Sequence, residues 1–239
     1  MQTFPTALSM GLLLGLMLTL NCSSELLEEP REKRQADKVL DADTFETFKL
    51  TLLSFPLPPQ LHITLLYESL CPDSRNFMHQ LGPVHEELKQ YMDIQLVPFG
   101  KSRSEQSGAI FHCQHGPAEC EGNRVQSCVI SSTANQSAQV KFVVCQMFAL
   151  DSSRADQCAS EAGLRTDVDH CADSETGTKL QLQAELVTKL YQPSFIPTIV
   201  YNGVFNQQLQ DHSLRDFRGT VCHLLRQQNL LPSGSPVCQ

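Results

Sequence analysis

The sequence predicts an α/β domain that carries a cysteine-rich, largely helical insertion. Between residues 61 and 100, two short apolar stretches flank a helical repeat, which indicates a strand–helix–strand unit with parallel strands. Between about residues 101 and 175, the composition shifts to Ser, Gln, Gly and Cys. The 239-residue chain has a net charge of -8, with 18 Lys and Arg against 26 Asp and Glu. This balance argues against a nucleic-acid partner, which usually requires a basic face.

The N-terminal segment predicts a signal peptide over residues 1–23. Residues 8–20 form an apolar run, LSMGLLLGLMLTL, that is followed by small and polar residues. The run is too short for a membrane span, which needs roughly 20 apolar residues, and its position is typical of a cleaved signal. A buried core helix is the alternative. No later segment is long and apolar enough to span a bilayer, so we expect no membrane span.

Residues 24–59 are predicted to form a propeptide-like linker, because they are charged, contain prolines and offer little to bury. The tetrapeptide REKR at residues 31–34 fits a proprotein-convertase site and equally a solvated charge cluster. The folded domain is therefore expected over residues 60–239, with its insertion at about residues 101–175.

The first elements of this domain follow from apolar spacing. Leu61–Tyr67 is short and rich in branched residues, which predicts a buried strand. A helix follows, kinked at Pro83. Its predicted apolar face consists of Phe77, Leu81, Val84, Leu88 and Tyr91. Residues 93–100 predict a second strand that ends at a proline and a glycine.

The later elements are predicted in the same way. One helix is expected around residues 140–148 of the insertion, and four leucines at helical spacing mark the next: Leu180, Leu182, Leu186 and Leu190. Residues 195–205 predict a hairpin, because Asn202 and Gly203 suit a type I′ turn, which requires positive φ twice. A last helix is predicted through Leu214, Phe217, Val221, Leu224 and Leu225.

Cys71 is the candidate nucleophile, because it follows a strand at the point where a helix begins. Unpaired N–H groups and a partial positive charge at a helix start favour a thiolate over a thiol. Pro72 suits the first helical turn, where its missing N–H costs nothing. A thiolate on such a strand–helix turn is the thioredoxin arrangement. That arrangement normally uses C-x-x-C, whereas the motif here is Cys71-Pro72-Asp73-Ser74.

Pro197 is the second candidate site residue. Ile196-Pro197-Thr198 leads into a strand and resembles the thioredoxin-fold segment whose proline is cis. A proline there withdraws from strand pairing and leaves neighbouring backbone groups to form a groove for a substrate peptide. The alternative is an ordinary proline at the first residue of a strand.

A cysteine signature lies in the insertion. Residues 113–128 read CQHGPAECEGNRVQSC, which fits C-Q-H-G-x-x-E-C-x-x-N-x-x-x-x-C at every fixed position. This pattern resembles the signature of the gamma-interferon-inducible lysosomal thiol reductase (GILT) family, and the order of the other motifs is similar. The resemblance covers about residue 60 to the C-terminus. It implies a thioredoxin-like fold and thiol–disulfide oxidoreductase activity.

We expect no metal in the signature. Cys113, Cys120, Cys128 and His115 are possible zinc ligands, but their spacing is not that of a zinc knuckle. An oxidising compartment favours disulfides instead. We interpret His115 as a hydrogen-bonded structural residue and Asn123 as a cap or turn residue.

The ten cysteines divide by parity. Cys22 is expected to leave with the signal peptide, and Cys71 is expected to be free, although a bridge from Cys71 to a distant cysteine is the alternative. Eight cysteines are left for structural disulfides, and these allow 105 pairings. They are Cys113, Cys120, Cys128, Cys145, Cys158, Cys171, Cys222 and Cys238.

Ser74 leaves three functional hypotheses open, because a hydroxyl cannot attack a disulfide. The first is a GILT-like oxidoreductase that reduces or isomerises disulfides of protein substrates through Cys71, with glutathione or cysteine as co-reductant and no bound cofactor. The second is a secreted redox-inactive pseudoenzyme or binding module that uses the groove beside Pro197. A chain that retains Cys71 without a resolving thiol could also trap cysteine-bearing partners covalently. The third is a disulfide-rich extracellular ligand.

The predicted signal peptide places the protein in the secretory pathway, as a secreted or lysosomal protein. Asn135-Gln136-Ser137 is a glycosylation sequon within the insertion.

Overall fold

The computed structural model describes residues 59–149, 155–165 and 168–239. The predicted signal peptide and residues 24–58 of the predicted linker lie outside these ranges. Among the described residues, no helix combines the length and apolar character needed to cross a membrane.

The described chain alternates helices with short strands. In chain order the elements are β1 Leu61–Tyr67, α1 Pro72–Leu88, β2 Met92–Pro98, β3 Arg103–Glu105, a 3-10 turn Gln106–Gly108, β4 Ile110–His112, α2 Pro117–Ser132, α3 Gln136–Ala149, α4 Ala155–Glu161, α5 Val168–Ala172, α6 Glu175–Tyr191, β5 Thr198–Tyr201, α7 Gln207–Arg215 and α8 Phe217–Gln227.

The predicted strand–helix–strand unit is confirmed. β1 and β2 pair in parallel from Leu61↔Met92 to Tyr67↔Pro98. β5 pairs antiparallel on the other side of β1, which gives the sheet order β2-β1-β5. β1 is therefore central and almost wholly buried, and it delivers the chain directly into the loop that carries Cys71.

The insertion contains more structure than the sequence indicated. The insertion is largely helical, as predicted. The helix predicted at residues 140–148 is part of α3, and α2, α4 and α5, which the sequence did not locate, are present as well. β3 and β4 form a small antiparallel hairpin ahead of α2. The inner face of α2 includes the buried polar residues Glu119, Asn123 and Gln126, so the apolar spacing that marks a helix is weak there.

The leucine spacing located α6 correctly, but two of its four leucines face away from the core. Leu186 and Leu190 are 64% and 79% exposed. The buried face carries polar residues that find partners. Gln181 donates to the Pro98 carbonyl at 3.3 Å and to Ser127 Oγ at 2.8 Å. Burial of these polar groups is tolerated because they are hydrogen-bonded.

The C-terminal part also departs from the prediction in detail. Asn202 and Gly203 have the expected positive φ, but only an isolated bridge from Tyr201 to Val204 follows, so a second strand does not form. The single predicted last helix is two helices. Asp216 lies between them. Its backbone N–H donates to the His212 carbonyl at the end of α7, and its side chain accepts from the Gly219 N–H at 2.8 Å as the N-cap of α8.

Four disulfides pair the eight cysteines of the domain other than Cys71. Three lie within the insertion, at Cys113–Cys120, Cys128–Cys171 and Cys145–Cys158. The fourth, Cys222–Cys238, ties α8 to the C-terminal tail. Within the part of the chain that the structure describes, Cys71 is the free cysteine.

Candidate active site

Cys71 is the N-cap residue of α1, and Pro72 is the first residue of the helix. The Cys71 N–H donates to the Glu68 carbonyl at 3.3 Å, and Arg75 N donates to the Cys71 carbonyl at 3.0 Å. A tight turn therefore leads from the central strand into the helix and leaves the sulfur at the helix start, where partial positive charge favours an anion. The residue is only 7% exposed.

Cys71 and the Pro197 segment meet in space although they are far apart in sequence. The Ile196–Pro197 peptide bond is cis. Pro197 directly precedes β5, and Cys71 Sγ lies 3.9 Å from the Ile196 carbonyl oxygen. The thiol can donate a weak hydrogen bond to this carbonyl. The structure thus brings together the two segments that the sequence singled out separately.

A small apolar pocket of about 220 Å³ adjoins these two segments. Phe77, Phe195 and Leu214 line it together with Pro197, and Asp73 and Asn76 add polar groups from the first turns of α1. The pocket therefore lies at the start of α1 and beside the cis proline.

Ser74 is completely buried in the first turn of α1. Its hydroxyl oxygen accepts from the Glu68 N–H at 3.4 Å. Ser74 therefore holds the turn that precedes Cys71 and provides no thiol. The structure gives it a local structural role in place of redox chemistry.

The signature segment packs directly under the turn before Cys71. Asn123 Oδ1 accepts from the Ser69 N–H at 2.9 Å, and Ser69 Oγ donates to the Glu119 carbonyl at 3.1 Å. A Cβ on Gly122 would lie 2.5 Å from Ser69 Oγ, so this close approach requires glycine. The expectation that Asn123 caps a helix or forms a turn is wrong, because it lies inside α2 and reaches across to the active-site loop.

Two buried carboxylates and a histidine meet at the same loop. His115 Nδ1 lies 2.5 Å from Glu119 Oε2 and 3.7 Å from Glu68 Oε2. The His115 N–H also donates to Glu119 Oε1 at 3.1 Å, which supports the interpretation of His115 as hydrogen-bonded. Both carboxylates are fully buried, whereas the histidine side chain is partly exposed. The group links the signature segment to the residue three positions before Cys71.

The Glu68 side chain packs against Gly100 and is hydrogen-bonded to the backbone of Lys101. The Lys101 N–H donates to Glu68 Oε1 at 2.6 Å, and a Cβ on Gly100 would lie 2.3 Å from Glu68 Cγ. Burial raises the pKa of Glu68 to about 7, and the nearby Glu119 carboxylate also raises it, whereas the Lys101 N–H and His115 oppose the rise. Near neutral pH, Glu68 is therefore a buried group that can gain or lose a proton.

The donor atoms of Glu68, His115 and Glu119 lie within 4.8 Å of one another, and this is the described group that could hold a metal ion. The cysteines once considered as zinc ligands cannot serve, because Cys113, Cys120 and Cys128 are all in disulfides.

Sequence reasoning did not single out Glu68. The available signal was an acidic residue directly after an apolar central strand and three positions before the candidate nucleophile. Its partners come from residues 101, 115 and 119, so no local pattern identifies them.

Asn135 is exposed just ahead of α3. Its Oδ1 accepts from the Ala138 N–H at 3.2 Å. The sequon therefore lies at an accessible helix start, and glycosylation there stays a prediction.

Comparison with known proteins agrees on family and fold. The family model described as gamma interferon inducible lysosomal thiol reductase (GILT) matches residues 62–162. A gamma-interferon-inducible lysosomal thiol reductase-like protein of Anopheles gambiae is 33% identical, over 70% of this chain and 77% of that protein. GILT-like protein 1 of Drosophila melanogaster is 35% identical, over 67% of this chain and 73% of that protein.

Among solved structures, the cytosolic disulfide reductase DsbM from Pseudomonas aeruginosa with GSH matches with a TM-score of 0.50 and 14% identity. The match covers 71% of this chain and 100% of that chain. The expected thioredoxin-like α/β fold with a helical, disulfide-bonded insertion is confirmed.

Proposed function

The chain belongs to the GILT family of thiol–disulfide oxidoreductases, and on this premise we propose that Cys71 reduces or isomerises protein disulfides with the help of an external thiol. One observation carries the proposal: Cys71, the free cysteine of the described chain, begins α1 and lies 3.9 Å from the Ile196 carbonyl. The thiolate of a cysteine is the species that attacks a disulfide.

The first step is an exchange of one disulfide for another. The Cys71 thiolate attacks one sulfur of a substrate disulfide, and a bond forms between Cys71 and that sulfur as the substrate S–S bond breaks. The second substrate sulfur leaves as a thiolate and takes a proton from solvent. The α1 N-terminus stabilises the attacking charge, and the groove beside Pro197 holds the polypeptide.

The second step requires a thiol that the chain does not provide beside Cys71. In C-x-x-C proteins the second cysteine attacks the mixed disulfide, but Ser74 occupies that position here. We propose that a small thiol of the glutathione or cysteine class instead attacks the substrate sulfur of the mixed disulfide. A disulfide forms between the small thiol and the substrate, and Cys71 leaves as a thiolate. A second small thiol then attacks the small-thiol sulfur of that disulfide and releases the substrate thiol, so two small thiols become one small disulfide as one substrate disulfide becomes two thiols.

The substrates are proteins with accessible disulfides in the secretory or endocytic pathway. Four disulfides in the domain are consistent with an oxidising compartment. Glycosylation at Asn135 and cleavage of the predicted signal peptide belong to the same proposal. No bound cofactor is needed, because each step exchanges thiols and disulfides.

A second candidate function is a redox-inactive binding module of the same fold. Two observations favour it: Ser74 is buried and hydrogen-bonded to the Glu68 N–H, and Cys71 is 7% exposed. In this case the groove beside Pro197 binds polypeptides without exchange.

Reduction of a denatured immunoglobulin at about pH 5, with and without glutathione or cysteine, separates the two functions. The oxidoreductase is expected to turn over only with the small thiol, and Cys71→Ala is expected to abolish the reaction. No Cys71-dependent reduction under either condition would rule out the enzyme. Binding of the denatured substrate that survives in Cys71→Ala would then identify the binding module.

A further inference from the structure

Gln210 is a fully buried side chain on α7 that contacts the backbone on both sides of Thr198. Its Nε2 donates to the Pro197 carbonyl at 3.0 Å, and its Oε1 accepts from the Ile199 N–H at 2.8 Å. One amide therefore satisfies a backbone acceptor and a backbone donor that lie two residues apart.

These two backbone groups face the edge of β5 that lies away from β1. Tyr201, two residues further along, exchanges backbone hydrogen bonds with Val204 at 3.3 and 2.9 Å on that edge. Alternate residues of a strand direct their backbone groups to the same edge, so Pro197 and Ile199 share it with Tyr201. The Gln210 amide supplies the pairing that a further strand would otherwise give.

The segment that Gln210 holds is the one that faces the thiol. Ile196 is joined directly to Pro197, and its carbonyl lies 3.9 Å from Cys71 Sγ. We propose that Gln210 is a positioning residue for disulfide exchange: its amide fixes the Pro197–Ile199 backbone, and thereby sets the Ile196 backbone against Cys71 and the incoming polypeptide. This inference rests on the proposed function.

The residue type matters because the position needs a donor and an acceptor on one planar group. Methionine fills a similar space but pairs with neither backbone group. An ionised glutamate accepts from Ile199 but places a negative oxygen against the Pro197 carbonyl. A protonated glutamate, in contrast, reproduces both hydrogen bonds, and burial favours that neutral form.

The chain offers a matched control on the same helix. Ser213 is also fully buried on α7, and its hydroxyl lies 2.7 Å from the Tyr201 hydroxyl. It links α7 to β5 as Gln210 does, but at the end of the strand away from Pro197. Ser213→Ala therefore tests the general effect of loosening α7 from β5.

The experiment uses the full-length protein and two reactions of Cys71. The first is the release of thiopyridine from a peptide whose cysteine carries a thiopyridyl disulfide, which requires the peptide to dock. The second is alkylation by iodoacetamide, which does not. Rates of both reactions are measured at pH 4 and pH 7 for the wild type and for Gln210→Glu, Gln210→Met and Ser213→Ala, with circular dichroism to establish folding.

We expect Gln210→Met to exchange with the peptide about tenfold more slowly than the wild type at both pH values. Gln210→Glu should exchange within about threefold of the wild type at pH 4, where its carboxyl is neutral and reproduces both hydrogen bonds. Alkylation should stay within about twofold of the wild type in all variants, and Ser213→Ala should exchange normally.

Three results would overturn the inference. The first is a folded Gln210→Met protein that exchanges at the wild-type rate. The second is an equal loss of exchange in Ser213→Ala, and the third is a loss of alkylation that parallels the loss of exchange. A wild-type protein that alkylates but never reacts with the peptide would overturn both this inference and the proposed oxidoreductase.

Discussion

Asn123 of α2 accepts a hydrogen bond from the backbone N–H of Ser69, two residues before Cys71, at 2.9 Å. The cysteine signature therefore acts on the active site through its polar residues, from beneath the loop. Asn123 Nδ2 has no partner, so the oxygen alone makes the contact.

Replacement of Asn123 should loosen this loop. Asn123→Leu leaves the buried Ser69 N–H unpaired, which should lower the free energy of unfolding by about 1–3 kcal/mol and slow peptide exchange at Cys71. Asn123→Asp keeps the acceptor oxygen, and at pH 4.5 it should be the more stable of the two variants. Urea denaturation measures both, and equal stability of the two variants would contradict the role assigned to the oxygen.

Ser74→Cys should restore a resolving thiol. We expect this variant to reduce denatured immunoglobulin in several turnovers when a dithiol reductant regenerates it, and to release its mixed disulfide without added glutathione. The matched control is Ser74→Ala, which also removes the hydroxyl that accepts from Glu68 N. The alanine variant should show no such release. If the cysteine variant shows none either, the missing resolving thiol is not what limits the reaction.

Once the predicted signal peptide with Cys22 has been removed, the protein should carry a single reactive thiol. Alkylation of the unfolded but unreduced protein should add one label, at Cys71, because the eight other domain cysteines are paired. Intact mass spectrometry counts the labels, and Cys71→Ala should take none. Peptide mapping should recover the four pairs, and a label on any other cysteine would contradict this pairing.

Glu68 should make the protein less stable as pH rises. Its pKa is raised from 4.5 to about 7 in the folded protein, so the folded state holds a proton that the unfolded state has released between these values. The stabilisation is fully present below about pH 4.5 and is lost as pH rises to about 7, by on the order of 3 kcal/mol.

Denaturation of Glu68→Gln across pH 4 to 8 checks this effect. The variant keeps an acceptor for the Lys101 N–H but does not titrate, so most of the fall in stability should disappear. Glu87→Gln is a suitable control, because the hydrogen bond from Arg218 lowers the pKa of the exposed Glu87, the opposite direction to the shift at Glu68. A wild-type slope that survives in Glu68→Gln would assign the effect to another group.

The elements of the fold could be predicted from the sequence where the buried side chains are apolar. β1 and α1 have apolar residues at strand and helix spacing, so both were located from the sequence, and with them the position of Cys71. The helix α2 could not be found in this way, because Glu119, Asn123 and Gln126 contribute polar groups to its buried face. Asn123, for example, accepts from the Ser69 N–H, 54 positions earlier, and the local sequence does not contain this partner.

The sequence predicted the candidate nucleophile of the site but not the residues that hold its backbone in place. Cys71 and Pro197 stand out by motif, whereas Glu68 and Gln210 are common residue types without a local pattern. Gln210 acquires its role from the Pro197 and Ile199 backbone groups, 13 and 11 positions earlier in the chain. Only the packing of α7 on β5 reveals such a contact.

Disulfides hold together the segment that supports this site, and a disulfide is also the bond that a thiol–disulfide oxidoreductase breaks. Cys113–Cys120 closes the loop that contains His115 and joins it to α2, and Cys128–Cys171 anchors the same helix to α5. In the proposed reaction, the small thiol that regenerates Cys71 is also able to reduce these bridges. At a low thiol concentration, Cys71 stays in the mixed disulfide with its substrate. At a high concentration, the thiol also reduces the disulfides that hold the loop in place. The rate of substrate reduction should therefore rise and then fall with thiol concentration. The protein is then most active in a compartment whose thiol concentration lies near this maximum.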